Sequence, residues 1–146
     1  MTPDVNVLIA ASRSDHPHHK VAYASLKEAI AACDDGASLK LMPMVVGSFL
    51  RLVTNSKIFV HPTPVEIAVE FIDAILAMPG VEMPSLAAEW PILRQLCLEK
   101  KLTANAIPDA WLAAAVIQMG EHLVTFDADF KKLLKRSQVT ILDAGS

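Results

Sequence analysis

Cysteine is scarce in this 146-residue chain: Cys33 and Cys97 are its two, neither in a Cys-x-x-Cys or Cys–His spacing. That excludes a disulfide framework and a zinc ribbon, and fits a reducing, cytoplasmic setting. Aromatics are also few, with two Trp, one Tyr and five Phe, a poor supply for a platform that stacks successive bases. Positive charge is in deficit, with a formal net charge of −3 and a pI near 5.9, which rules out a uniformly basic nucleic-acid coat but not a local basic patch. No apolar run approaches the roughly 18 residues that cross a bilayer. The start, Met1-Thr2-Pro3-Asp4, lacks the basic end and apolar core of a signal peptide. The expectation is an unprocessed soluble protein with no membrane partner. Repeats, low-complexity tracts and long linkers are missing as well, so residues 1–146 are expected to form one domain. Apolar surface is abundant: hydrophobic residues make up 53% and the mean hydropathy is +0.38, which argues against disorder.

Helical patterns alternate with short apolar runs. His18 to Cys33 carries apolar residues at three- and four-residue intervals and closes at Asp34-Asp35-Gly36, the mark of an amphipathic helix. Leu39, Leu41 and Met42 form a strand candidate ahead of Pro43, and Met44 to Thr54 a second helix. Thr63, Pro64 and Glu66 read as a capping box opening a helix that runs to Gly80. Val81-Glu82-Met83 is a short strand candidate, and Ser85 is placed as the cap of a helix over Leu86–Lys101. Asn105 to Gly120 is alanine-rich and helical. His122–Phe126, Asp127–Leu134 and Val139–Leu142 read as strand, capped helix and strand. The alternation predicts an α/β domain with a mainly parallel sheet between helical layers, and functional groups beyond the carboxyl ends of its strands.

Four aspartates stand out. Asp127 and Asp129 follow a predicted strand and open a helix, and Asp109 lies near the start of its own helix, so each has an ordinary role as a cap or dipole partner. Asp4 is harder to absorb, because it precedes the apolar Val5, Val7, Leu8 and Ile9 where a core would favour an apolar side chain. Acids gathered at one sheet edge repel unless a cation lies among them. Carboxylates are hard ligands suited to Mg²⁺ or Mn²⁺, and such a site supports phosphodiester hydrolysis.

The successive blocks Asp4-Val-Asn6-Val-Leu-Ile, Asp15-His-Pro-His-His, Phe49-Leu-Arg51-Leu-Val-Thr-Asn55, Pro108-Asp109-Ala-Trp-Leu-Ala-Ala and Leu123-Val-Thr125-Phe-Asp127-Ala-Asp129-Phe130 resemble those of PIN-domain ribonucleases. More narrowly, they are similar to the VapC toxins of type II toxin–antitoxin modules. The resemblance runs from Met1 to about Leu142. It implies a three-layer α/β/α fold with a short central parallel sheet, a homodimer, and an endoribonuclease that uses Mg²⁺ or Mn²⁺ and is held inactive by a VapB-type antitoxin. It assigns Asp4, Asp109 and Asp127 to the metal-binding acids and matches Asp129 to a neighbouring acid that is less regularly a ligand. Asn6 and Thr125 fall where polar groups orient the ligating carboxylates. The RNA, whether transfer RNA or another structured species, stays open.

Two departures from the family pattern are visible. PIN nucleases commonly carry a further acid in the helix before the Arg51 block, whereas no acid occurs from Gly36 to Val65. That leaves a second reading open, a PIN-like module that binds RNA or protein without turnover. The other departure is Met1-Thr2-Pro3 in place of a longer apolar first strand, which must therefore be very short. Among basic residues, Arg51 is read either as a phosphate contact or as the partner of a neighbouring side chain. Lys131 and Lys132, with Lys135 and Arg136, are read as a solvated helix face that also flanks the cleft and contacts RNA, and Arg13 and Lys57 as extending that surface. His16, His18 and His19 lack metal-ligand spacing and read as a loop before a helix.

Overall fold

A computed structural model describes residues 1–143. Its elements in chain order are β1 (Thr2–Pro3), α1 (Val5–Ser12), α2 (His19–Ala32), β2 (Leu39–Lys40), α3 (Pro43–Val53), α4 (Val65–Leu76), β3 (Val81–Glu82), α5 (Trp90–Lys100), α6 (Ala106–Met119), β4 (Leu123–Thr125) and β5 (Val139–Ile141). Every strand pairing is parallel. β4 lies between β1 and β5, with Thr2 opposite Leu123 and Leu123 opposite Val139. β2 pairs with β3 through Leu39–Val81 and Lys40–Glu82, and that second pair is also an ion pair.

Two bonds join these groups: Lys40 N donates to Met1 O at 2.9 Å, and Thr2 Oγ1 donates to Lys40 O at 3.1 Å. The spatial order is therefore β3-β2-β1-β4-β5. Right-handed crossovers run one way from β1 to β3 and the other way from β3 through β4 to β5, which puts α1–α4 over one face and α5 and α6 over the other. α1 packs on α2 and α3, α3 on α4, and α5 on α6. The order reverses between β1 and β4, and there, beyond the strand ends, an open parallel sheet forms its crevice.

Core packing explains the central elements. α6 buries Ala110, Leu112, Ala113, Ala114, Ala115 and Val116, apolar on nearly every side as a helix enclosed by its neighbours must be. Phe49, Phe130, Leu8 and Leu123 are among the largest fully buried side chains of the core.

The structure corrects several expectations. α1 does not emerge from the sequence pattern, because Val5, Val7 and Ile9 alternate as in a strand, while Val7, Leu8, Ala10 and Ala11 are all buried and leave no amphipathic period. The Thr63–Glu66 capping box does not form: α4 begins at Val65 after Pro64, with no side-chain cap, and Thr63 Oγ1 accepts from Arg13 Nη1 at 3.0 Å. α4 ends at Leu76, short of Gly80. Gly80 instead makes a close crossing at φ +79°, where a Cβ would lie 2.7 Å from that of Cys33. α5 starts at Trp90 and not Leu86, with Pro91 in its first turn, because a helix begun at Leu86 would set the Pro91 ring against the carbonyl of Ala87. The expected helix over Asp127–Leu134 is a short 3-10 turn, Ala128–Lys132.

Candidate active site

The reversal between β1 and β4 brings the first and last sequence blocks together. β1 ends at Pro3, and Asp4 turns the chain into α1, its Oδ1 accepting from Val5 N at 2.7 Å. β4 ends at Thr125, and Asp127 caps the following turn by accepting from Asp129 N at 2.9 Å. Thr125, fully buried, sits between them: its hydroxyl donates to Asp4 Oδ2 at 2.7 Å and accepts from Asp127 N at 3.0 Å and from Asn6 Nδ2 at 3.2 Å. Asn6 Oδ1 in turn accepts from Phe126 N at 3.3 Å. The polar residues Asn6 and Thr125 thus tie the two chain turns into one network that orients the Asp4 carboxylate.

Asp109 enters from the first turn of α6. It shares a cavity of about 290 Å³ with Asp4, Ser48, Arg51 and Trp111. Burial pushes its carboxyl up to about 6, and the charges of Asp4, Asp127 and Asp129 add to the rise. Burial also raises the Asp4 carboxyl, against the pull of the Thr125 and Val5 donors and with a further push from Asp127. The four acids therefore act on one another electrostatically. Asp129 is the outermost, 76% exposed and paired with Lys132 at 3.6 Å.

The donor set consists of carboxylate oxygens whose mutual repulsion a cation would relieve, which fits a hard divalent ion. Among the described residues no group of three or more His, Cys, Asp or Glu side chains is gathered closely enough to hold a metal ion as it stands, so the fit rests on donor chemistry and on the raised carboxyls.

The basic residues divide. Arg51 is exposed, its side chain makes no hydrogen bond or ion pair among the described residues, and it lines the same cavity as Asp4 and Asp109; its neighbour Asn55 accepts from Lys57 N instead. Arg13 is 8% exposed and does not extend a basic surface. Its guanidinium is committed to both carboxylate oxygens of Asp15, to Thr63 and to the His61 carbonyl. Lys131 borders a different cavity, with Leu134, Arg136, Val139 and Ile141. Sequence reasoning misses Ser48 and Trp111 as cavity walls. The signal available for Trp111 was an aromatic two positions after Asp109, and for Ser48 a small polar residue one turn before Arg51.

A model of the PIN domain matches residues 1–135. The chain belongs to the PIN domain family. Among curated PIN proteins it is 37% identical over 131 residues to ribonuclease VapC25 of Mycobacterium tuberculosis, covering 88% of this chain and 89% of that one. It is 38% identical over 133 residues to ribonuclease VapC31 of the same species, with the same coverage. These relatives put it in the VapC branch of the family. The PIN fold is matched by the crystal structure of VapBC2 from Rickettsia felis bound to a DNA fragment from their promoter, with a TM-score of 0.68 and 18% identity over 97% of this chain and 98% of that one.

Proposed function

We infer that this VapC-branch protein is the toxin of a type II toxin–antitoxin module, an endoribonuclease that works with Mg²⁺ or Mn²⁺. The observation that carries this is the meeting of Asp4, Asp109 and Asp127 at the reversal of strand order, with the Asp109 carboxyl raised to about 6 partly by the other acids. Asp4, Asp109 and Asp127 would hold the ion, with Asp129 at the margin. When bound, the ion makes a water nucleophilic near neutral pH and offsets charge developing on the phosphate. Thr125 keeps the Asp4 carboxylate turned toward the cleft, Asn6 steadies Thr125, and Arg51 holds a phosphate of the strand from the α3 wall. Lys131 and Lys132 lie farther out, where they contact the backbone of a longer RNA.

A VapB-type antitoxin and a second copy of the chain are the expected protein partners. An apolar cleft of about 310 Å³ between α2 and α4, bordered by Tyr23, Leu26, Ile30, Phe71, Ile75 and Met78, supports a partner surface. No helix among the described residues is long and apolar enough to cross a membrane, which accords with action on RNA in the cytoplasm.

Purified protein on structured RNA tests this reading. Asp4→Asn and Asp109→Asn are expected to abolish cleavage that needs Mg²⁺ or Mn²⁺ and stops with EDTA, while both variants stay folded. Undiminished cleavage by both would remove the acids from the reaction. A binding module without turnover is the second reading, drawn from the α3 wall, where Met44, Val45, Ser48 and Leu52 face the acids and no carboxylate stands; binding of RNA without any metal-dependent cleavage by the wild-type chain would favour it.

A further inference from the structure

Beside the acids lies a second cavity, of about 490 Å³, lined by Asn6, Ile9, His16, Pro17, His18, Phe59 and Phe126. Its walls are rings. The His18 and Phe126 rings lie 5.2 Å apart and 31° from parallel, and His16 meets His18 at 5.5 Å. Phe59 is held from outside the cleft's own set, by the buried Arg13 guanidinium 4.0 Å above its ring centre. The loop that supplies the histidines is braced by Arg13 and Asp15 and by His18 N donating to His16 Nδ1 at 3.0 Å.

These rings are not explained by folding alone. His18 stands at the cap position of α2 but makes no side-chain cap bond, and its Nδ1 is buried with no hydrogen-bond partner. A buried imidazole nitrogen without a protein partner is unfavourable and leaves a position for a water or a ligand group to fill. The cavity is also tied to the acidic site through the chain and its hydrogen bonds. Phe126 lies in the chain between Thr125 and Asp127, and Asn6 lines the cavity while bonding both Thr125 and the Phe126 N–H.

We propose that this cavity seats a nucleobase of the RNA strand whose phosphate lies at the acids, with the base stacked on the Phe126 and His18 rings. The proposal rests on the ribonuclease reading above and adds a base-recognition subsite to it. A flat ring-lined cleft with imidazole and amide groups at its edge suits a base, which has a π-face for the rings and hydrogen-bonding edges for His16, His18 and Asn6. Burial, with help from His18, Arg13 and His19 and against Asp15, lowers the His16 imidazole from its ordinary value. A neutral ring both donates and accepts. The fewness of aromatics does not then exclude stacking, because the rings present are gathered next to the acids.

Two arms test it on the full chain. In the first, the imidazole NMR resonances of His18 are followed in EDTA as a short single-stranded RNA is added, with His122 as the internal control, its ring engaged at Ser137 and Thr140. Upfield ring-current shifts at His18 that vanish when one nucleotide is made abasic support the subsite; an unshifted His18 with RNA bound overturns it. The second arm compares His18→Ala and Phe126→Leu with wild type on intact and abasic substrates in Mg²⁺. Loss of one base stack corresponds to roughly a 5- to 150-fold rise in KM, with kcat within about twofold and with the abasic penalty gone. Equal KM and an unchanged abasic penalty in a folded His18→Ala overturn the proposal, also where that variant has lost affinity for a protein partner. The first arm needs no cleavage, so base binding at His18 by a chain that cuts nothing would refute the nuclease reading and keep the subsite.

Discussion

Replacing Asp109 by Asn is expected to make the metal-free protein more stable while removing its activity. The Asp109 carboxyl lies near 6 against an ordinary 3.8, first through burial and then through Asp4, Asp127 and Asp129. A rise of about two pH units corresponds to roughly 3 kcal/mol of unfavourable energy when the group is charged. Asp109 is half-buried, so solvent screening reduces this to about 1 kcal/mol. The sign follows from linkage. A carboxyl raised in the folded state destabilises it fully at pH values above about 6, and the effect fades as pH falls toward 3.8, where both states hold the proton. Asn keeps the shape and lacks the charge.

The assay is chemical and thermal unfolding in a chelator, as a difference between wild type and variant across pH. Near neutral pH the variant should unfold about 3 °C higher, the shift that 1 kcal/mol brings in a domain of this size. The difference should shrink toward zero near pH 4. Adding Mg²⁺ should raise the wild-type midpoint by more than the variant's, because ligand binding stabilises the state that binds it. An Asn variant equal to or less stable than wild type at neutral pH in chelator, with unchanged unfolding cooperativity, would refute the claim that the acids repel one another in the folded chain.

Thr125→Val, which keeps the side-chain shape but removes the hydroxyl shared by Asp4, Asn6 and Asp127, should lower stability by about 1–3 kcal/mol and metal affinity or cleavage by roughly 10- to 100-fold; urea unfolding and a Mg²⁺ titration of activity read the two effects. Arg51→Ala should leave stability unchanged, since the side chain is exposed and unpartnered among the described residues. It should weaken RNA binding and flatten the dependence of log K on log salt by about 0.7 to 0.9, the share of one phosphate contact; an unchanged salt slope would take Arg51 off the phosphate path.

What could be read from residue order alone was the layout of the chemistry. The strands β4 and β5, the helix over 105–120 and the placement of acids just after short strands follow from periodicity and caps, because those signals are local. The elements that escaped are those where local signals conflict with tertiary ones. α1 looks like a strand because its β-branched residues alternate, and only the two-residue β1 and the Asp4 cap turn it into a helix. Thr63-Pro64-x-Glu66 has the letters of a capping box, but the buried Arg13 claims the Thr63 hydroxyl from 50 positions away. Lys131, Lys132, Lys135 and Arg136 read as one face because they follow the acids closely in sequence, with Arg13 and Lys57 extending it, whereas the fold buries Arg13, gives Lys131 to another cavity and leaves Arg51 lining the cavity of the acids. No local pattern reports such partners.

The two roles weighed for the acids, helix cap and metal ligand, are compatible, and their combination explains why Asp109 is the most perturbed of the set. Asp4 has Val5 N and the Thr125 hydroxyl as donors, and Asp127 has Asp129 N. The two bonds to Asp4 favour its charged form, and all three hold the carboxylates in place without an ion. Asp109 lies in the first turn of α6 yet accepts no hydrogen bond among the described residues, so burial and three neighbouring charges act on it with little to offset them. A carboxylate in that position gains most from a cation and contributes least to the fold without one. That asymmetry is why removing it is expected to separate function from stability more cleanly than Asp4→Asn, which alters a cap as well as a proposed ligand.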